Sequence, residues 1–160
     1  MKLAIVGATG LVGKELIRVI QERELSYSEL FLVASKKSIG KEILVNNKSH
    51  MVVGLEKILE EKPDLALFAA GSEISKEWAP KLVDKGCKVI DNSSYWRMCS
   101  KHKLIIPEIN GHQITCDDFI IANPNCSTIQ LLVAIAPIHK AYTIKRIVVS
   151  TYQSVSGTGK

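Results

Sequence analysis

Several common features are missing from this chain, and each absence closes off a class of function. The four cysteines, Cys87, Cys99, Cys116 and Cys126, form no C-x-x-C pair. Neither a zinc site nor a disulfide framework is therefore implied, and no metal is expected. No apolar run approaches the ~20 residues that cross a bilayer. The start, MKLAIVGATGLVG, puts a lysine before an apolar stretch as a signal peptide does. Three glycines at three-residue spacing, followed at once by Lys14 and Glu15, argue against one. The net charge of +5 comes from scattered lysines, and aromatics make up only 6% of the chain. With no basic run interleaved with aromatics, a few bound phosphates suit this charge better than nucleic acid does. His50, His102, His112 and His139 sit in no recognisable acid–base context. His139, near a helix end, reads as a charge complement to the helix C-terminus. Repeats and low-complexity tracts are absent, and reducing cytoplasm is the expected compartment.

What is present is an alternation of strand-like and helix-like segments in 160 residues, enough for one domain with a real core or one domain and part of another. Leu3–Val6, Glu29–Ala34, Asp64–Ala70 and Cys87–Ile90 are solid apolar runs of the kind buried in parallel sheets. Between them, helical spacing predicts a helix over 10–24, with Val12, Leu16, Val19 and Ile20 as its apolar face, and further helices over 56–62 and 75–85. Glu42–Val45 and Met51–Val53 flank Asn46-Asn47, a hairpin signal. Short strands follow at 104–106 and 119–122, then a helix over 127–139 and a long strand over 144–152. The pattern predicts an α/β fold with a doubly wound parallel sheet.

G-A-T-G-L-V-G, carrying Gly7, Gly10 and Gly13, falls between the first strand and the first helix. Gly7 suits a tight turn and Gly10 a close backbone approach to a pyrophosphate. Gly13 suits close helix–sheet packing, with the helix N-terminus facing the anion. A site for NAD usually has a carboxylate at the tip of the second strand, to bind the ribose 2′-hydroxyl. Here the tip reads Ala34-Ser35-Lys36-Lys37-Ser38, with ammonium and hydroxyl groups instead. These would hold a 2′-phosphate, so NADP is the expected cofactor.

N-P-N-C-S-T-I-Q places Cys126 after a Pro-Asn turn, at the head of the helix expected from about residue 127. The Ser-Thr pair after it offers the helix its start. The positive end of a helix and its unpaired N–H groups favour thiolate over thiol, and thiolate is a strong nucleophile toward acyl phosphates and carbonyls. The same N–H groups could steady the oxyanion formed on attack. Arg97, in D-N-S-S-Y-W-R, follows a strand end and could hold a phosphate or carboxylate through its planar fork, or be a surface arginine. Gln153, taken alone, is a polar residue after a strand. Cys87 reads as core; Cys99 and Cys116 stand in loop-like surroundings without a motif.

Taken in order, GATGLVGKEL, ASKKSIGK, DNSSYWR, LIIPEIN, NPNCSTIQ and STYQSVSGTG resemble the landmarks of the aspartate-semialdehyde dehydrogenases, across the whole chain. The resemblance implies an NADP-dependent interconversion of L-aspartyl 4-phosphate and L-aspartate 4-semialdehyde, a step toward lysine, methionine and threonine. It implies a thioester on Cys126, phosphate binding by Arg97 and Asn125, and substrate orientation by Gln153. It places Thr9, Gly10, Leu11 and Val12 along the pyrophosphate, with Gly7 at the turn. Ser35, Lys37 and Ser38 would meet the 2′-phosphate, and Ser156 and Gly157 would lie by the nicotinamide. The family more often has Arg where Lys37 stands.

The family's general-base histidine does not occur here, and family members are longer. The chain is therefore expected to be a fragment. Residues 1–125 would form an NADP-binding domain, and 126–160 the beginning of a substrate and dimerisation domain of α+β type. The isolated chain is expected to turn over poorly and to self-associate through uncovered apolar surface, the full-length protein being a homodimer or homotetramer. A non-catalytic NADP(H)-binding module is the alternative.

Overall fold

In the computed structural model, which describes residues 1–153, the apolar run after Met1 becomes the central strand β1 (Lys2–Val6). Its neighbours, both parallel, are β2 (Glu29–Val33) and β5 (Leu65–Phe68). Beyond β2 lies β4 (Lys48–Val53); beyond β5 lie β6 (Lys88–Asp91), β8 (Ile120–Ala122) and β7 (Lys103–Leu104), each parallel to the strand before it. The edge strand β3 (Glu42–Val45) pairs antiparallel with β4. Asn46 and Asn47 between them have φ of 49° and 61°. Two left-handed residues in succession form the turn whose twist matches a hairpin, which is what the Asn-Asn pair predicts. The strand order is β3-β4-β2-β1-β5-β6-β8-β7.

Neighbouring side chains on a strand face opposite ways, and both faces of this sheet are covered. Leu3 and Ile5, with Leu32 and Val52, pack against Ile17 and Ile20 of α1 (Leu11–Glu22). Ala4 and Val6, with Val33, Ala66, Phe68 and Val89, pack against the other face. There they meet Ile58 of α2 (Leu55–Glu61) and Ala79 and Leu82 of α3 (Ser72–Val83). Helices on both faces of a largely parallel sheet make the fold Rossmann-like and doubly wound, as expected.

Three details depart from the sequence expectations. The inward face of α1 is Gly13, Ile17 and Ile20, whereas Val12 is 51% exposed and Val19 38%. A Cβ on Gly13 would lie 2.1 Å from the Gly7 carbonyl oxygen. The helix backbone thus presses on the loop at that point, and turning Gly13 inward carries Val12 out. The expected strand at 104–106 is cut to β7 because Pro107 opens a short helix, α4 (Pro107–Asn110), followed by a single 3-10 turn, Gly111–Gln113. Residues 144–152 form no strand at all. A β-branched run becomes a strand only against a ladder partner, and this run has none among the described residues. The last helix, α5 (Cys126–Tyr142), has none of its seventeen residues buried. No helix of the described residues is long and apolar enough to cross a membrane.

Candidate functional site

In a parallel sheet all strands release their chains at one edge. The turn after β1, the tip of β2, the loop after β6 and the loop after β8 therefore gather on the side where such sheets bind ligands. Gly7 and Ala8 both donate their N–H to Val33 O, at 2.8 and 2.9 Å, tying the glycine turn to the end of β2. Gly7 has φ +95°, and a Cβ there would stand 2.5 Å from Ala69 O. Gly7 and Gly13 are thus required by the protein's own packing. Gly10 differs: a Cβ there would meet only Gly7 O, at 3.3 Å, and the residue is exposed. Gly10 caps α1 without a side-chain oxygen, and no acidic residue stands in the first turn. The N–H groups of Leu11 and Val12 therefore face outward with no acceptor in the helix, beside Thr9. Outward N–H groups at a helix start are the kind of donors a phosphate takes.

At the tip of β2 a turn closed by Ser38 N–H on Ser35 O, at 2.8 Å, presents Ser35 and Lys37 to solvent, with Ser38 half-buried. The residues assigned to pyrophosphate and to 2′-phosphate accordingly share one edge.

At the other end of that edge, Asn125 rather than the Ser-Thr pair caps α5. Its Oδ1 accepts the Ser127 N–H at 3.0 Å and the Ser127 hydroxyl at 2.8 Å. Cys126 is therefore the first residue of the helix, exposed, with its own N–H and that of Thr128 left over by the cap. Gln153 returns to this point, its Nε2 3.9 Å from Cys126 Sγ. Arg97 is half-buried: Nε donates to Asn123 O at 3.0 Å and Nη2 to Asn92 O at 2.9 Å. The guanidinium thus bridges the loops after β6 and β8, and Nη1 has no hydrogen-bond partner among the described residues. Ser156 and Gly157 lie outside the described residues.

The remaining cysteines and histidines are elsewhere. Cys87 is fully buried, its thiol pushed up to about 12 by burial and then by the Asp64 carboxylate. Cys99 and Cys116 lie in turns. His139 is in the last turn of α5, but its Nδ1 accepts the Ile144 N–H at 3.2 Å. That bond ties the chain after α5 back to the helix, and His139 stands with Lys140 in its last turn. Thirteen residues from Cys126, it is about 20 Å along the helix axis. His102 stacks edge-on against Trp96, and His50 meets Leu30 O. No group of histidine, cysteine and carboxylate suited to a metal occurs among the described residues.

Sequence reasoning missed the polar network beneath Arg97. Asp91 is fully buried and takes the Ser93 hydroxyl on Oδ2, while its Oδ1 has no partner among the described residues. Trp96 is locked by Nε1–H to the buried Ser75 hydroxyl at 2.8 Å. The short polar residues of D-N-S-S carry the signal. Their partners are Phe68 of β5, Ser72 of α3 and Asn123 just after β8, and the loop alone does not reveal that adjacency.

The profile of the family described as "Semialdehyde dehydrogenase, NAD binding domain" matches residues 2–116. The chain belongs to the semialdehyde dehydrogenase family. It is 50% identical to the aspartate-semialdehyde dehydrogenase of Aquifex aeolicus, over 99% of this chain and 47% of that protein. The crystal structure of aspartate semialdehyde dehydrogenase II from Vibrio cholerae superposes with a TM-score of 0.92 at 48% identity, covering 98% of this chain and 48% of that one. The same Vibrio cholerae enzyme complexed with ASA gives 0.91 at 48% identity, covering 98% and 52%. This member of the semialdehyde dehydrogenase family thus spans about half the length of the curated relatives it matches.

Proposed function

We propose that this chain carries the nucleotide-binding and thiol-bearing part of an aspartate-semialdehyde dehydrogenase. That enzyme would interconvert L-aspartyl 4-phosphate and L-aspartate 4-semialdehyde with NADP, in amino-acid biosynthesis. The supporting observation is the convergence of three groups at one sheet edge: an open glycine cradle, an anchored arginine, and a thiol at a helix start with a glutamine amide beside it. The relatives' names give the substrate class.

The nucleotide would lie with its pyrophosphate on Thr9, Gly10, Leu11 and Val12, and its 2′-phosphate on Ser35, Lys37 and Ser38. When bound it supplies or accepts the hydride. In the reductive direction Cys126 attacks the acyl carbon of the acyl phosphate, forming the C–S bond as the C–O bond to phosphate breaks. The N–H groups of Cys126 and Thr128 would donate to the transient oxyanion. Arg97 Nη1 and the Asn125 amide hold the departing phosphate, and Gln153 orients the substrate chain. Release of the aldehyde from Cys126 would need a general acid/base to move the proton of the thiohemiacetal hydroxyl. We give this role to none of His50, His102, His112 and His139, and so assign the chain binding and nucleophile, with slow or absent turnover in isolation.

The test is a titration of the 160-residue chain with NADPH and NADH, alongside mass-spectrometric alkylation of Cys126 with and without inorganic phosphate. NADPH is expected to bind more tightly than NADH, and the Lys37→Ala change should weaken only NADPH, by about tenfold for a lost charged hydrogen bond. Phosphate should slow the alkylation. Equal affinity for both nucleotides removes the 2′-phosphate assignment, and a thiol indifferent to phosphate removes the anion site. Normal turnover would remove the need for a missing acid/base.

A further inference from the structure

Asn123 stands three residues before Cys126, and nothing in the chemistry above uses it. It is nevertheless held at three points. Its N–H donates to Asp91 O at 2.8 Å, its carbonyl accepts Arg97 Nε at 3.0 Å, and its Nδ2 donates to Asn92 Oδ1 at 2.6 Å. Asn92 is pinned in turn, its Nδ2 and its N–H both donating to Phe68 O at 3.0 Å, while its own carbonyl holds Arg97 Nη2. Sheet pairing needs only the first of these bonds. The amide–amide bond is additional, and it joins the two loops that carry the anion-binding groups: Arg97 after β6, Asn125 and Cys126 after β8.

We infer that the Asn92–Asn123 amide pair is a positioning device, setting Arg97 and Asn125 at the separation one tetrahedral anion requires beside Cys126. The inference rests on the proposed reading of Arg97 and Asn125 as anion ligands. Alanine at 123 removes the side-chain bond and leaves both main-chain anchors in place. The strand should therefore still form while the loop loses its spacing to Arg97.

The experiment measures, in the full 160-residue chain, the inorganic phosphate concentration that halves alkylation of Cys126 by iodoacetamide. Wild type is compared with Asn123→Ala, Asn92→Ala and the double variant. Asn123→Ala is expected to raise that concentration about fivefold to tenfold, as for one lost hydrogen bond, and Asn92→Ala at least as much, since it also loses the Nδ2 bond to Phe68 O. The double change should raise it no further than Asn92→Ala does, because both singles break the same bond. The NADPH dissociation constant should stay constant, because neither side chain bonds the glycine turn or the tip of β2, whereas a general loss of fold would raise it in step. If Asn123→Ala fails to fold, Asn92→Ala carries the test, since it touches no main-chain anchor of Asn123. Protection equal in wild type and variants, or effects that multiply in the double variant, overturns the inference alone. A wild-type thiol that phosphate does not protect overturns the anion site and this inference with it.

Discussion

The segment from Cys126 to Gln153 is more apolar in sequence than the sheet with its covering helices, yet it is the less buried of the two. α1 and α3 each bury three residues against the sheet. α5 is longer and buries none. A helix closes its own hydrogen bonds, but most of its stability comes from packing against a second surface. The sheet supplies one for α1, α2 and α3 and none for α5. In this chain stability therefore belongs to the sheet, while the thiol sits at the seam between the two regions. Cys126 is the first residue of the uncovered helix and is placed by the strand that precedes it.

The sharpest way to break that contrast is to truncate one apolar side chain in each region. Phe68 is fully buried, and Phe68→Ala should cost about 3–5 kcal/mol, a large share of a small domain's stability. Ile138 is 52% exposed in α5, and Ile138→Ala should cost less than about 0.5 kcal/mol. Denaturant unfolding of the two variants measures both. Similar losses would show α5 to be packed in solution.

The glycine turn offers the next contrast, within the sheet region itself. Ala at Gly13 would drive its Cβ into a backbone oxygen at 2.1 Å that cannot swing aside. A stability loss of about 1–3 kcal/mol or more is expected, because overpacking must move the helix. Ala at Gly10 meets that oxygen at 3.3 Å and should cost the fold less than about 1 kcal/mol. It should still weaken NADPH binding at least tenfold, since the methyl occupies the space where the phosphate would approach. Thermal melts and a fluorescence titration separate the two effects. If Gly10→Ala binds NADPH normally, the cradle is not the pyrophosphate site.

How much of this was legible follows the same divide. The central strands announced themselves because a strand buried on both faces is apolar at every position, and the hairpin did so through Asn46 and Asn47. Of the expected face of α1, Leu16 and Ile20 do pack inward, but Val12 and Val19 do not, because a helical period fits them as well as it fits Gly13 and Ile17. The smallest of these residues, not the largest, decides the contact. The run at 144–152 has strand composition, but pairing is a property of two segments, and composition describes one. In the site, Cys126, Arg97 and the glycines were visible as motifs. Asn123 and Asn92 were not, because their bond joins β6 to β8, which are neighbours in space but not in sequence.

A third test asks what uncovered apolar surface does. Ile138, Ile147, Val148, Val149 and Tyr152 are all at least half exposed, and surface of this kind promotes association. Light scattering should show an average mass that rises with concentration, and the pair Ile138→Lys with Val148→Lys should lower it without changing the melting temperature of the sheet. A clean monomer at high concentration would mean that the exposed residues find cover within the chain.

The smallest expected effect is an acid one confined to the sheet region. The Asp118 carboxyl is held down at about 2, first by the Lys103 ammonium, then by the Thr115 N–H and hydroxyl. Its folded value lies below the unfolded one of about 3.9, so its stabilisation is present above that pH and is lost as pH falls toward 2. The His102 ring is held below its ordinary value by burial and then by Lys101. Its folded form resists protonation, so it also costs stability as pH falls, but from about 6.5 downward. Two separate windows are therefore expected in a plot of unfolding midpoint against pH. Asp118→Asn should flatten only the lower one, and His102→Gln only the upper. Both groups flank the start of β7 and the approach to β8, so the change should leave the alkylation rate of Cys126 at fixed pH untouched. Should Asp118→Asn alter that rate, the sheet and the seam would be coupled more tightly than their burial suggests.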